Sequence, residues 1–563
     1  MRQLGGMDAS FLYMETPETP MHVGGVYLFD LPRGYDGDFY EDFKAHMTKR
    51  LHLAPMFGKK LAPMPFELDH PVWVDDDVDL DYHIRRVGLA KPGGMVQLEE
   101  LVGRLHSNFL DRSRPLWEFY VIDGFSTGQA VLYMKVHHAA VDGGAGMAMT
   151  KAIYDTTPVP RDVEKAPPKA SAQTGEPGLL NLLGAAYTSL LRQQVRTLQA
   201  IPDAWKALAK IALPDSGSAN LLAPQQPLTA PKTILNGTIT SQRVFAARSI
   251  PLADAKRIGK ASGAKLNDVV LAICSAALRR YLIEKNALPD QSLTAFVPVS
   301  LREAGNTEMN NQVTGMICSL ATDIEDPLER IKAIVDSSAR AKQLTGSVKD
   351  IMPRDYSMFG APLLIQGMVA MYGRSKLADQ MPLAANVTIS NVPGPTYPLY
   401  LAGAEMMTMY PVSIPAHGQA LNLTVQSYKG MLDFGLTSCR RIVPDVRTLG
   451  DYIVDAFDEL NTLVAGIDVP DTQSAATTES SSGAASKVPS KTKAPSVRKA
   501  PAAPARKKPS PEKASAGSAA KSAGPGKTPG APVKKAATPT KKGATPPPAG
   551  RAASKPSASR VRS

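Results

Sequence analysis

Apolar positions along this chain change period several times, and the changes divide it into four zones. Residues 1–160 mix helix and strand signals. Asp38 and Glu41 form a capping-box pattern, and Phe39, Phe43 and Met47 then recur at helical spacing. Leu98, Leu101, Val102 and Leu105 make a second helical stripe. WEFYVIDG and QAVLYMKVHH, joined by a turn at Phe125–Gly128, predict a β-hairpin. Residues 161–235 shift to Pro, Ala, Lys and Gln and read as a connector. Within it, Leu179–Leu213 has helical spacing and fits either a helix packed on a lobe or one lying at a membrane interface. Residues 236–467 return to an α/β pattern. Strands are predicted at RVFAARSI, TAFVPVS, QVTGMICSL, NVTIS and LNLTVQSY, the last a half-buried alternation of Leu421, Leu423 and Val425 with polar neighbours. Helices are predicted at Leu266–Tyr281, after the Asp326-Pro327 start signal, and over Leu449, Ile453, Phe457 and Leu460. Two α/β lobes of similar size around a connector place the expected ligand crevice at their junction.

The fourth zone changes the meaning of the charge. The chain carries 64 Lys/Arg against 52 Asp/Glu, yet residues 471–563 alone hold 19 against 3. The remainder holds 45 against 49, so the lobes are mildly acidic and the excess basicity belongs to the tail. This Ala/Pro/Ser/Lys-rich tail lacks aromatic, Leu, Ile and Met residues. It buries too little apolar surface to offset its ordering entropy and is expected to be disordered. Cys274, Cys318 and Cys439 are few, odd in number and widely spaced, which fits free thiols in a reducing compartment. The N-terminus lacks a secretory apolar core, and no run approaches the roughly 18 apolar residues of a membrane span. The expectation is a cytoplasmic protein, peripheral to a membrane or lipid droplet.

The candidate chemistry sits where the strand Val131–Val136 runs into His137-His138-Ala139-Ala140-Val141-Asp142-Gly143. Strand side chains alternate, so His138 goes with Leu132, Met134 and Val136, and His137 with Val131, Tyr133 and Lys135. An imidazole aimed into apolar space, mostly neutral at physiological pH, suits general-base work. The pattern alone leaves catalysis and a structural role both open. Metal binding is less favoured, because adjacent strand residues diverge and no HExxH or cysteine cluster supplies further ligands. The pentapeptide Gly124–Gly128 formally matches GxSxG, but it joins two strands, where a nucleophile elbow needs a strand-to-helix turn.

HHAAVDG matches the HHxxxDG motif of CoA-dependent acyltransferases. The chain resembles, more narrowly, the bacterial wax ester synthase/acyl-CoA:diacylglycerol acyltransferase family over residues 7 to 465. Six blocks in order carry the resemblance: MDASFLYMETPETPMHVGG, DRSRPLWE, HHAAVDGG, LNDVVLA, PVSLR and SNVPGP. It implies two chloramphenicol-acetyltransferase-like α/β lobes with a tunnel at their junction and no covalent acyl-enzyme. It also implies no cofactor, with acyl-CoA as co-substrate and diacylglycerol or a fatty alcohol as acceptor. Carried onto this sequence, His138 is the general base and His137 supports it. Asp142 is a structural partner, with Arg302 its candidate counter-charge, and Gly143 belongs to the motif turn. Asn267, Ser390 and Asn391 are oxyanion or substrate candidates for which capping or turn hydrogen bonds are an equal reading. Trp117 reads as core packing.

A second reading makes the chain a non-catalytic lipid-body or membrane-surface protein. Its basic tail then contacts anionic lipid, at about 1 kcal/mol per basic residue near the surface, or nucleic acid through salt-sensitive phosphate attraction. A solvated spacer is the plainest reading of that tail.

Overall fold

The computed structural model describes residues 2–64, 69–141, 143–165, 229–300, 313–348 and 379–465. The Leu179–Leu213 stretch and the 471–563 tail lie outside them.

A small sheet of Arg2–Gln3 (β1), Lys59–Ala62 (β3) and Val72–Asp75 (β4) flanks two six-stranded sheets. The first contains His22–Asp30 (β2), Ile84–Gly88 (β5), Trp117–Asp123 (β6) and Ala130–His137 (β7). The second contains Arg243–Pro251 (β8), Thr294–Ser300 (β9), Val313–Ser319 (β10), Val387–Val392 (β11), Leu421–Tyr428 (β14) and Met431–Cys439 (β15), in the order β10-β9-β11-β14-β15-β8. Tyr400–Leu401 (β12) and Ala404–Val412 (β13) lie in the 236–467 zone by sequence, yet they complete the first sheet, whose order is β12-β13-β2-β7-β6-β5. β13 pairs antiparallel with β2 from Glu405↔Asp30 to Val412↔Gly24. The lobe division at 236–467 is therefore crossed by one excursion: the pairing edge of β2 takes a strand from the far half of the chain.

Local signals account for most elements. The helix Phe39–Arg50 (α2) begins where the Asp38 carboxylate accepts the Tyr40 N–H at 3.0 Å, and it buries Phe39, Phe43 and Met47. Asp326 caps the helix Pro327–Val348 through Leu328 N–H and Glu329 N–H, at 2.9 and 2.8 Å. β6 and β7 form the predicted hairpin, with Trp117 opposite Val136 and Ile122 opposite Val131, so the GxSxG look-alike is a turn between antiparallel strands. β14 departs from its predicted half-burial. Asn422 and Thr424 are buried too, because Asn422 donates to the Ile414 carbonyl at 3.2 Å and accepts from Thr424 at 2.8 Å.

The alternation along β7 is realised. Leu132, Met134 and Val136 join Phe29, Phe43, Met47, Phe57, Trp117 and Phe119 in the first core. Val131 and Tyr133 point the other way, into a cluster with Val102 of the helix Met95–His106 (α4) and with Phe245 and Ala247 of β8. Each such fully buried side chain contributes roughly 1.5–3 kcal/mol. That second cluster is the seam between the sheets. Glu99 fastens its edge, accepting from Ala247 N–H at 3.0 Å, Arg248 at 2.8 Å and Arg447 at 2.8 Å.

Candidate active site

β7 ends at His137, and His138–Ala140 form a single 3-10 turn before the helix Gly143–Ile153 (α5). Three stretches of sequence, two of them distant, meet at this turn. From the first, the helix Gly6–Met14 (α1) lays Phe11 against the His138 ring, with centres 3.8 Å apart and planes 18° from parallel. Glu15 follows, and Met21 accepts the His138 N–H at 2.8 Å. β2 then places His22 opposite His137. In β2, Gly24 lets the strands close: a Cβ there would stand 2.2 Å from the Met134 carbonyl oxygen of β7. From the second stretch, Leu116 accepts the His137 N–H at 3.0 Å, and Arg112 Nε donates to Glu15 at 2.9 Å. The third stretch is β7 itself.

The two imidazoles differ in surroundings. His137 is buried; its Nδ1 accepts the Ala139 N–H at 3.0 Å and its Nε2 lies 3.4 Å from Glu15 Oε1. His138 is only partly buried, while its Nδ1 is enclosed without a hydrogen-bond partner among the described residues. Desolvation, and after it the neighbouring His137, push the His138 pKa down from 6.5 to about 4. The ring is therefore neutral at physiological pH, with a lone pair available to take a proton. Burial works against the Glu15 charge, but the contact with His137 and the Arg112 guanidinium outweigh it, and its pKa falls to about 2.

Beneath the turn, the fully buried Lys135 meets Glu118 at 2.9 Å and donates to the Asn108 carbonyl at 3.1 Å. Glu118 also accepts from Tyr120 at 2.6 Å. Trp117 is core, as its sequence context suggests: its Nε1 donates to the Phe57 carbonyl at 3.1 Å, and His83 stacks on it at 4.3 Å.

The other sequence candidates are spread out. Gly143 is the first residue of α5. Asn267 is the second residue of the helix Leu266–Glu284, where it is the adjacent Asp268 that caps, accepting the Lys265 N–H at 3.1 Å. Ser390 and Asn391 lie near the end of β11, opposite Thr424 and Val425 of β14. The SNVPGP block that follows is pinned by Gly394 N–H donating to Ser427 at 3.0 Å. A Cβ on Gly394 would stand 2.1 Å from the Ser427 carbonyl oxygen. Among the described residues, no hydrogen bond or ring contact joins these three polar side chains to His138. Asp142 and Arg302, the expected ion pair, lie outside the described residues. Phe11, Glu15 and Arg112 are contacts that motif reasoning passed over, although each sits inside a block quoted for the resemblance.

A cavity of about 480 Å³ opens at the opposite end of the first sheet, around the β6–β7 turn, lined by Tyr35, Asp38, Arg86, Asp123 and Phe125 among others. It holds none of the candidate residues.

The family pattern for the catalytic domain of wax ester synthase/diacylglycerol acyltransferases matches residues 4–270, and that for their C-terminal domain matches 309–461. A Mycobacterium tuberculosis protein named as a diacylglycerol O-acyltransferase is 38% identical over 462 residues, covering 81% of this chain and 99% of the relative. The chain belongs to the wax ester synthase/diacylglycerol acyltransferase family. It is thus an O-acyltransferase, and its match runs through both lobes. The Acinetobacter baylyi O-acyltransferase WSD is 33% identical over 477 residues, covering 83% of this chain and 98% of its own. The solved wax ester synthase/diacylglycerol acyltransferase of Marinobacter aquaeolei shares the fold, with a TM-score of 0.58 and 31% identity over 82% of this chain and 100% of that one.

Proposed function

We propose that this acyltransferase moves a long-chain acyl group from acyl-CoA to the hydroxyl of diacylglycerol, forming triacylglycerol, and to fatty alcohols, forming wax esters, with His138 as general base. The observation that carries the reading is the neutral imidazole of His138, a residue only partly buried and fixed on a turn that three stretches of chain hold in place. His138 takes the proton of the acceptor hydroxyl as its oxygen attacks the thioester carbonyl carbon. The tetrahedral oxyanion collapses, the C–S bond breaks, and the departing CoA thiolate takes the proton back from His138. A positioned base of this kind contributes about 10²–10⁴-fold, and holding both substrates beside it supplies much of the rest. Asp142 braces the histidine turn in this scheme, and Asn267, Ser390 and Asn391 remain the candidates for donors to the oxyanion.

Both acceptors partition into lipid, so we place the enzyme at the cytoplasmic surface of a membrane or lipid droplet. No single helix among the described residues is long and apolar enough to cross a membrane. The test is ester formation by purified protein from palmitoyl-CoA with dioleoylglycerol or with hexadecanol, followed together with release of free CoA thiol. Ester from either acceptor with matching thiol release supports the reading. Lipid binding without either product would contradict it and favour a non-catalytic surface protein.

A further inference from the structure

Both peptide N–H groups around the His138 α-carbon are tied indirectly to one atom. The His138 N–H ends on the Met21 carbonyl at 2.8 Å, and the Met21 N–H ends on Glu15 Oε1 at 2.9 Å. The Ala139 N–H ends on His137 Nδ1 at 3.0 Å, and His137 Nε2 faces the same Glu15 Oε1 at 3.4 Å. The Glu15 side chain is 4% exposed and that of His137 1%, so water does not compete for these groups. Arg112 holds the other carboxylate oxygen and also donates to the Leu12 carbonyl at 2.9 Å, at the end of the helix that presents Phe11 to His138.

We propose that Glu15 is a positioning residue: through His137 and Met21 it sets the backbone turn on which the His138 imidazole is aimed. Tautomerism gives the mechanism. Because His137 Nδ1 accepts a hydrogen bond, the ring proton resides on Nε2, the nitrogen facing the Glu15 carboxylate. Without that carboxylate the ring is free to move its proton to Nδ1. The Ala139 N–H then loses its acceptor, and the turn relaxes just beyond the base. A shift of about 1 Å in a reacting group costs on the order of a hundredfold in rate. Glu15 touches no substrate in this account, so the loss falls on turnover and leaves binding alone.

This inference rests on His138 being the base. The experiment measures kcat and KM for palmitoyl-CoA in full-length wild type, His138→Ala, Glu15→Gln, His137→Asn and the Glu15→Gln/His137→Asn double variant, with thermal unfolding of each. The expected result is a fall in kcat of about 10–100-fold for Glu15→Gln, with KM within about threefold. The double variant should lose no more than His137→Asn alone, because the two residues act in series. Wild-type kcat in Glu15→Gln, or losses that multiply in the double variant, overturn the inference while leaving the base assignment intact. Full activity in His138→Ala overturns the base assignment and the inference with it. Should Glu15→Gln fail to fold, Arg112→Gln with His137→Asn tests the same tether from its outer end, and multiplying losses there overturn it equally.

Discussion

The first sheet keeps His22, Lys135 and His137 fully buried along one margin, whereas the core behind the second sheet is filled by side chains such as Leu271, Ile273, Leu423, Phe434 and Ile453. Eight of the nine histidines lie in the first 160 residues, and His417 alone lies in the second half. Buried charge in the first half is paired and chained: Arg50 with Asp155 at 2.9 Å, Lys135 with Glu118, Arg112 with Glu15. In the second half the buried Asp433 has hydroxyl and backbone partners, Ser249 at 2.6 Å and Met409 N–H at 2.8 Å, and burial raises its pKa. In the proposed mechanism the contrast puts the base in the first half. The second contributes an apolar wall, the seam at β8 and a strand that closes the first sheet. The turn to which the proposal gives the base is held by directional, desolvated bonds, and a wall needs only close packing.

The largest effect on this contrast is expected at Lys135. Changing it to Met takes the fully buried cation from Glu118 and leaves only the part-exposed Arg85 guanidinium, 3.2 Å from its other oxygen, at a cost of up to about 3–5 kcal/mol in urea unfolding. An unchanged midpoint would mean that the charges are not the first half's framework. In the second half, Leu423→Ala should cost about 2–5 kcal/mol through the cavity it leaves. It should keep the kcat of the remaining folded protein, since Leu423 is buried in the second core and makes no contact with His138. A tenfold loss of kcat at full folding would erase the distinction between the halves.

The pH response should be smaller, and its main sources should be histidines of the first half. Burial, the largest influence on each, lowers the pKa of His46 to about 4, of His138 to about 4 and of His106 to about 3. Unfolded histidines protonate below about 6.5, so between that value and about 4 the unfolded state binds more protons than the folded one. Stability should therefore fall as pH drops from about 6.5 towards 4, with no contribution from these rings above 6.5. Unfolding midpoints at pH 7.5, 6 and 5 read this slope. His106→Gln should flatten it and Leu423→Ala should not. Last, Arg280→Ala removes an exposed pair with Asp455 and should shift stability by no more than about 1 kcal/mol. A larger shift would place strong electrostatics on the second half's surface as well.

Much of this arrangement was legible in the sequence, wherever local chemistry decides it. Asp38 and Asp326 mark helix starts because capping is a matter of two or three residues. The β6–β7 hairpin and the alternation of Leu132, Met134 and Val136 follow from the period of a strand. The capture of β13 by β2 was not legible, since an amphipathic strand carries no mark of which sheet edge it will join. Nor was the burial of Asn422 and Thr424, which depends on the loop at Ile414 folding over them. In the site, His137 and His138 stood out as a motif. Glu15 sits more than a hundred residues away, and nothing local in the sequence marks it; only packing brings it to His137.

Turnover of palmitoyl-CoA by His138→Ala at saturating acceptor, with its thermal unfolding measured beside wild type, tests the central claim most directly. The account predicts an unchanged unfolding temperature and a kcat lower by about 10²–10⁴-fold. A folded variant that keeps more than about a tenth of wild-type turnover would show that some other group takes the proton.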